Sequence, residues 1–241
     1  MEQKQPIISL EGIYFSYPGR RPILKDLALN IYKGDRIGLV APNGSGKTTL
    51  FHIIMGLLRP AAGKVNIFGK NRQTDQDFLD VRRRIGLLFQ DADDQLFSPT
   101  VLEDVAFGPL NQGKSTEEAV AISKKTLAFL GLEDFEDRIT YKLSGGEKRL
   151  VSLATILAME PEVLLLDEPG NALDSGMKSK LINVLNSLNI TYMLIAHEFD
   201  FFSETTDRVL CMEDGKLLQD DEVSVHTHRH MHKVGRQPHK H

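Results

Sequence analysis

The sequence predicts an α/β protein with a β-rich N-terminal part and an inserted all-helical segment. Three observations carry this. The apolar run Ile37 to Val40 leads into Ala41-Pro42-Asn43-Gly44-Ser45-Gly46-Lys47-Thr48-Thr49, and a helix-like stretch follows from Leu50 to Leu58. The runs Val163 to Leu166 and Met193 to Ala196 are wholly apolar, as parallel strands buried on both faces are. From about Thr100 to Met159 the pattern is helical, with no strand.

Taken in order, Ile7 to Tyr14 and Ile23 to Ile31 read as strands separated by the turn Pro18-Gly19-Arg20. Lys33-Gly34-Asp35 is a turn into the strand before the glycine-bearing loop. Lys64 to Phe68 is a strand ended by Gly69, Asp77 to Arg84 a short helix, and Ile85 to Phe89 a buried strand. Val101 to Phe107 is a short helix expected to stop at Gly108-Pro109. Ser115 with Glu117 and Glu118 marks a helix start, and that helix is expected to run to Leu130 and end at Gly131. A second helix follows Ser144, with Leu150, Leu153, Ala154, Leu157 and Ala158 at helical spacing. Met177 to Leu188 is helical, Tyr192 to Ala196 is a strand and Phe199 to Thr205 is a short helix. Arg208 to Met212 and Lys216 to Leu218 flank Asp214-Gly215, a hairpin signal.

Composition limits the class. The 241 residues are 41% hydrophobic and 26% charged, ordinary for a globular protein. The net charge of −4 argues against a nucleic-acid partner. The single Cys211 cannot form an internal disulfide and suits a reducing compartment. No apolar run is long enough to span a membrane, and the N-terminus lacks an apolar signal core. Membrane contact is therefore expected only through partners.

The loop after Val40 carries the first chemistry. Glycines let backbone N–H groups converge, and a helix N-terminus adds partial positive charge there, so the strand–loop–helix layout cradles phosphate. Asn43, Gly44, Ser45, Gly46, Lys47, Thr48 and Thr49 form the cradle. Lys47 reaches the terminal phosphates and the Thr48 hydroxyl ligates magnesium. Ala41 stands where such loops usually begin with glycine. If that position needs a positive φ, alanine costs about 1 kcal/mol. The strand Val163 to Leu166 delivers a second signal, Asp167-Glu168. Asp167 is placed to hold magnesium, and Glu168 to orient or deprotonate an attacking water.

Leu143-Ser144-Gly145-Gly146-Glu147, at a helix start ahead of Asp167, resembles the signature of ABC-type ATPases. The resemblance runs from about Ile7 to Leu218. It implies a P-loop NTPase core of ABC type, with an N-terminal antiparallel β subdomain and an inserted α-helical subdomain. By it Gln90 is the hinge glutamine, which links the core to the helical subdomain and joins Thr48 and Asp167 in holding the magnesium. His197 is the switch histidine, Asn171-Ala172-Leu173-Asp174 is the loop facing a partner subunit, and Tyr17 stacks on adenine, with Tyr14 and Phe15 as neighbouring alternatives. The catalytic set so implied is Lys47, Gln90, Glu168 and His197, with ATP and Mg2+ as cofactors. It also implies a homo- or heterodimer in which Ser144, Gly145 and Gly146 of one subunit face the γ-phosphate held by the other. A second departure is Gly170, where the family commonly has Thr or Ser.

Asp91 to Thr100, continuing through Glu103-Asp104-Val105-Ala106-Phe107-Gly108-Pro109, resembles the ATPase subunits of energy-coupling-factor importers, which take up vitamins and transition metals. That implies integral membrane subunits as partners and a peripheral position on the cytoplasmic face of the cell membrane. Leu96, Phe97, Val101, Val105 and Phe107 offer the apolar surface for them. His226, His228, His230 and His232 alternate, so in an extended chain they share one side, and imidazole suits nickel or cobalt. The organisation expected is residues 1–89 and 160–219 for the nucleotide-binding core, 90–159 for the helical subdomain and 220–241 for a His-rich tail without a packing pattern. Nickel or cobalt import is the leading expectation. A vitamin importer, or a soluble ATPase serving metallocluster assembly, is the competing one.

Overall fold

The computed structural model describes residues 5–218. The chain opens with β1 (Ile8–Phe15) and β2 (Leu24–Ile31), paired antiparallel. In β2 the core side chains Leu24, Leu27, Leu29 and Ile31 are buried while Asp26, Ala28 and Asn30 are exposed, the pattern of a strand with one wet face. After β3 (Arg36–Val40) and α1 (Lys47–Ile54), β4 (Ala62–Ile67) returns to pair with β1. The two-residue β5 (Lys70–Asn71) pairs with β4 and completes a sheet of order β2-β1-β4-β5. It is too short to show any periodicity, which is why the sequence did not announce it.

α2 (Asp75–Arg84) begins earlier than the expected Asp77. The Thr74 hydroxyl caps it, accepting from the Asp77 amide, and the Asp77 carboxylate accepts in return from the Thr74 amide. Then come β6 (Ile85–Leu88), α3 (Val101–Asn111), α4 (Thr116–Phe129) and α5 (Gly145–Leu157). The chain closes through β7 (Val163–Asp167), α6 (Ser175–Ser187), β8 (Thr191–Ile195), α7 (Phe199–Thr205), β9 (Arg208–Glu213) and β10 (Lys216–Leu218). One expectation fails in α3, which continues through Gly108-Pro109 instead of stopping there. Val105, Ala106 and Pro109 lie on one buried face. Their burial, close to the helix end, outweighs the roughly 3 kcal/mol that an interior proline costs.

The second sheet has the order β10-β9-β3-β8-β7-β6, and its five strands from β9 to β6 run parallel. Every residue of β7 and β8 is buried. Alternate side chains serve two cores. Val163, Leu165, Met193 and Ile195 pack with α1 and the antiparallel sheet, and Leu164, Leu166, Tyr192 and Leu194 pack with the helices of the other side. On that second side α3 packs on α4 and α5. Leu96, Val101 and Val105 are buried there, so of the five apolar residues expected to form a docking surface only Phe97 and Phe107 are exposed.

The β9–β10 hairpin joins the two sheets. Asp214 and Gly215 both have positive φ, 47° and 79°, as the two-residue turn requires. The Gly215 carbonyl accepts from the Lys25 amide at 2.9 Å, next to β2. A β-carbon at Gly215 would lie 2.2 Å from the Ile23 carbonyl oxygen. Gly215→Ala is therefore expected to destabilise the fold by about 1–3 kcal/mol through backbone strain and the clash. Urea unfolding monitored by circular dichroism measures it, and an unchanged midpoint would refute the fit at this junction.

Candidate functional site

β6, β7, β8 and β3 are neighbours and run parallel, so their carboxyl ends open on one edge of the sheet. Ligands of open α/β sheets bind at that edge. The loop 41–46 leaves β3, Asp167-Glu168 ends β7, His197 follows β8 and Gln90 follows β6. They converge on a cleft of about 640 Å³ lined by Tyr17, Asn43, Gly44, Gly46, Lys47, Thr48, Thr49, Gln90, Glu168 and His197. Arg20 and Ile23 line it too. They were not singled out from the sequence, although the Pro18-Gly19-Arg20 turn marked the place.

The loop between β3 and α1 has features that suit an anion. Gly46 is the N-cap of α1 with φ 106° and ψ 13°, and a β-carbon there would meet the Ile23 methyl at 2.6 Å. Only glycine meets both demands. No side chain caps α1, and the Ser45 hydroxyl is buried without a partner among the described residues. Those groups fit an arriving phosphate. The Lys47 ammonium folds back on the loop, donating to the Ala41 carbonyl at 2.7 Å and the Pro42 carbonyl at 3.1 Å. Burial lowers its pKa, opposed by the charges of Glu168 and Asp167. Ala41 does not adopt a positive φ, so the strain considered for it does not arise. Its methyl is buried in the core instead. At Gly170 an added β-carbon would make ordinary contacts with Phe201 and Lys178, the nearest at 3.5 Å.

The acidic pair divides into two environments. Asp167 is 2% exposed and accepts a hydrogen bond from the Thr48 hydroxyl at 2.6 Å. Burial raises its pKa, a push that the Thr48 hydrogen bond opposes and the charge of Glu168 reinforces. Glu168 sits in the left-handed region at φ 50°, a conformation that costs a non-glycine residue about 1–3 kcal/mol. Its amide donates to the Ile195 carbonyl at 3.0 Å, one carboxylate oxygen lies 3.0 Å from His197 Nε2, and Asn171 Nδ2 donates to the other at 3.4 Å. Tyr17 is the aromatic that lines the cleft. Its hydroxyl is 3.3 Å from Thr49 Oγ1, and its ring meets Phe15 edge-on at 5.0 Å. Phe15 itself is buried in the core.

Ser144, Gly145 and Gly146 do not line this cleft. Gly145 borders a neighbouring cleft of about 620 Å³ together with Thr48, Gln90, Asp91 and Arg149, so Gln90 faces both. Ser144 caps α5 in a reciprocal box: its hydroxyl accepts from the Glu147 amide at 3.3 Å, and Glu147 accepts from the Ser144 amide at 2.8 Å. His226, His228, His230 and His232 lie outside the described residues.

The buried charge of Asp167 sets a stability prediction. A raised folded pKa means that ionising Asp167 weakens the fold, fully above the folded pKa and not at all below the unfolded one. Asp167→Asn keeps an acceptor for Thr48 and removes the charge. It is expected to raise the thermal midpoint by about 2–4 °C at neutral pH. Scanning calorimetry at descending pH should show the gap to wild type closing. A variant less stable than wild type at neutral pH would contradict the reading.

Comparison with known proteins agrees with the geometry. The family model described as ABC transporter matches residues 24–171. The energy-coupling factor transporter ATP-binding protein EcfA of Methanocaldococcus jannaschii is 44% identical, with 89% of this chain and 78% of that protein covered. The cobalt import ATP-binding protein CbiO of Rhodobacter capsulatus is 42% identical, with 88% of this chain and 78% of that protein covered. The structure of cbiO1 from Clostridium perfringens, part of the transporter complex cbiONQ, superposes with a TM-score of 0.79 at 33% identity, covering 89% of this chain and 88% of that one. The chain belongs to the ABC transporter family, as an energy-coupling-factor type ATPase whose hydrolysis of ATP is coupled to transport.

Proposed function

We propose that this ATPase powers an importer of nickel or cobalt ions. It works as one of two ATP-binding subunits, held at the cytoplasmic face of the membrane by integral transport subunits. One observation carries the mechanism. Lys47, Thr48, Glu168 and His197 share a cleft with Gln90, while Ser144, Gly145 and Gly146 lie outside it. A site split in this way is completed by a second subunit, which brings Ser144 to Gly146 and the start of α5 to the phosphate.

Within one subunit the roles follow from the chemistry. Tyr17 supports the adenine. The loop amides and Lys47 take the phosphates, Lys47 exchanging the Ala41 and Pro42 carbonyls for phosphate oxygens. Thr48 Oγ1 and Asp167 Oδ2 are hard oxygen donors 2.6 Å apart around a buried carboxylate, a set that fits Mg2+, with Gln90 beside it. When bound, Mg2+ neutralises charge on the phosphates. Glu168 accepts the proton of the attacking water. His197, 3.0 Å away, holds that carboxylate in place.

Two features support the transport side. Phe97 and Phe107 are 66% and 49% exposed and pack edge-to-face at 4.8 Å on the segment following Gln90, where an integral subunit can seat. Similarity to a cobalt import protein, with the alternating His226 to His232, supports a metal cargo.

Glu168→Gln is expected to lower turnover by about 10²–10⁴-fold, the range of a lost general base, while ATP binding persists and an ATP-bound dimer accumulates on size exclusion. Normal hydrolysis by that variant would remove the role given to Glu168. For the cargo, titration calorimetry with nickel and with cobalt should show tighter binding by the full chain than by a chain ending before His226. Equal binding by both removes the tail from the argument.

A further inference from the structure

Arg149 takes no part in the chemistry above, yet it is 5% exposed and points its guanidinium at the backbone beside Gln90. One terminal nitrogen donates to the Phe89 carbonyl and the other to the Gln90 carbonyl. β6 ends at Leu88, so these carbonyls lie past the sheet ladder. Gln95 ties the same stretch to the same helix further along. Its side-chain oxygen accepts from the Phe89 amide at 3.2 Å, and its nitrogen donates to the Ser152 carbonyl and the Thr155 hydroxyl, each at 2.9 Å. Lys148 pairs with Asp93 a little further along. Three successive contacts thus fasten residues 89–95 to the flank of α5, the helix that Ser144 opens.

A buried guanidinium is costly to desolvate. Burial here lowers the Arg149 pKa, and the charges of Asp167, Glu168 and Asp91 oppose that fall. Its direct partners are carbonyls rather than a carboxylate, so the arrangement is a two-point clamp on one peptide segment. The planar fork suits that, and a lysine ammonium does not.

We infer that Arg149 is a positioning residue that couples the two nucleotide seats of the dimer. It ties the peptide carrying Gln90 in one seat to the helix whose first turn closes on the ATP of the partner subunit. Movement of α5 on closure is then passed to Gln90 through a rigid fork. The inference rests on the split site and on Gln90 acting at the phosphates.

The test is a double-mutant cycle on the full chain: Arg149→Gln, Gln90→Ala and both together, with steady-state ATPase rates and equilibrium binding of a non-hydrolysable ATP analogue. Arg149→Gln is expected to lower kcat about tenfold or more, since small misplacements of a catalytic constellation cost that much, and to leave analogue affinity within about twofold. In the Gln90→Ala background the second substitution should add nothing to the loss in kcat. Additive losses, an unchanged kcat, or a loss of affinity matching the loss in kcat would each overturn the role of Arg149. A normal kcat for Gln90→Ala would instead overturn the role of Gln90 itself, and with it any action of Arg149 through that side chain. Arg149→Lys keeps the charge without the fork and should fall with Arg149→Gln. It serves in the same cycle if the glutamine variant does not fold, and full activity from it would overturn two-point fixation.

Discussion

β7 and β8 have no solvent face, and this constraint orders the rest of the protein. Every residue in both is buried, with alternate side chains feeding the two cores. A charged side chain in the middle of either strand would lie in hydrocarbon, unpaired. Chemistry is therefore confined to strand ends. Because the strands run parallel, the useful ends coincide on one edge. Asp167, Glu168, His197, Gln90 and the phosphate loop meet for that reason, although they are far apart in the chain.

The cleft holds several polar groups in costly arrangements. Lys47 occupies itself with the Ala41 and Pro42 carbonyls, the Ser45 hydroxyl is buried without a partner among the described residues, and Asp167 carries a charge that its burial opposes. Glu168 is kept in a left-handed conformation by the hydrogen bond its amide donates to the Ile195 carbonyl and by its side-chain contacts with His197 and Asn171. Strained and unpaired groups of this kind lower the stability of a fold. The large cores on either side of the sheet compensate for it.

Periodicity reveals long elements with one dominant environment, and here it served well. α7 spans Phe199–Thr205 as expected, α4 has the predicted Ser115 cap and ends ahead of Gly131, and Asp214-Gly215 forms the predicted hairpin turn. It failed where packing outweighed local preference, as in α3, which runs through Pro109 because that face is buried. β5 left no trace, since two residues have no period. Among the candidate residues, the positions of Lys47, Thr48, Asp167 and Glu168 were legible because a loop or a strand end next to them is legible. Arg149 was not. In sequence it is one cation on a helix, and its meaning lies in two carbonyls about sixty residues away in the chain.

The glycine-bearing loop, the acidic strand end, the helical insert and the family resemblance could be read directly from residue order, because those signals are local runs of residue type. The rest emerged from packing. It showed that Tyr17 rather than Phe15 faces the cleft, that Ala41 carries no strain, and that Leu96, Val101 and Val105 belong to the core while Phe97 and Phe107 stay outside. It also left Ser144 to Gly146 out of the cleft that Lys47 lines, with Gly145 bordering the neighbouring one. The physical reason is common to all of these. Burial, backbone angle and the distance between remote side chains depend on how the two sheets and the helices pack, and no local pattern encodes them.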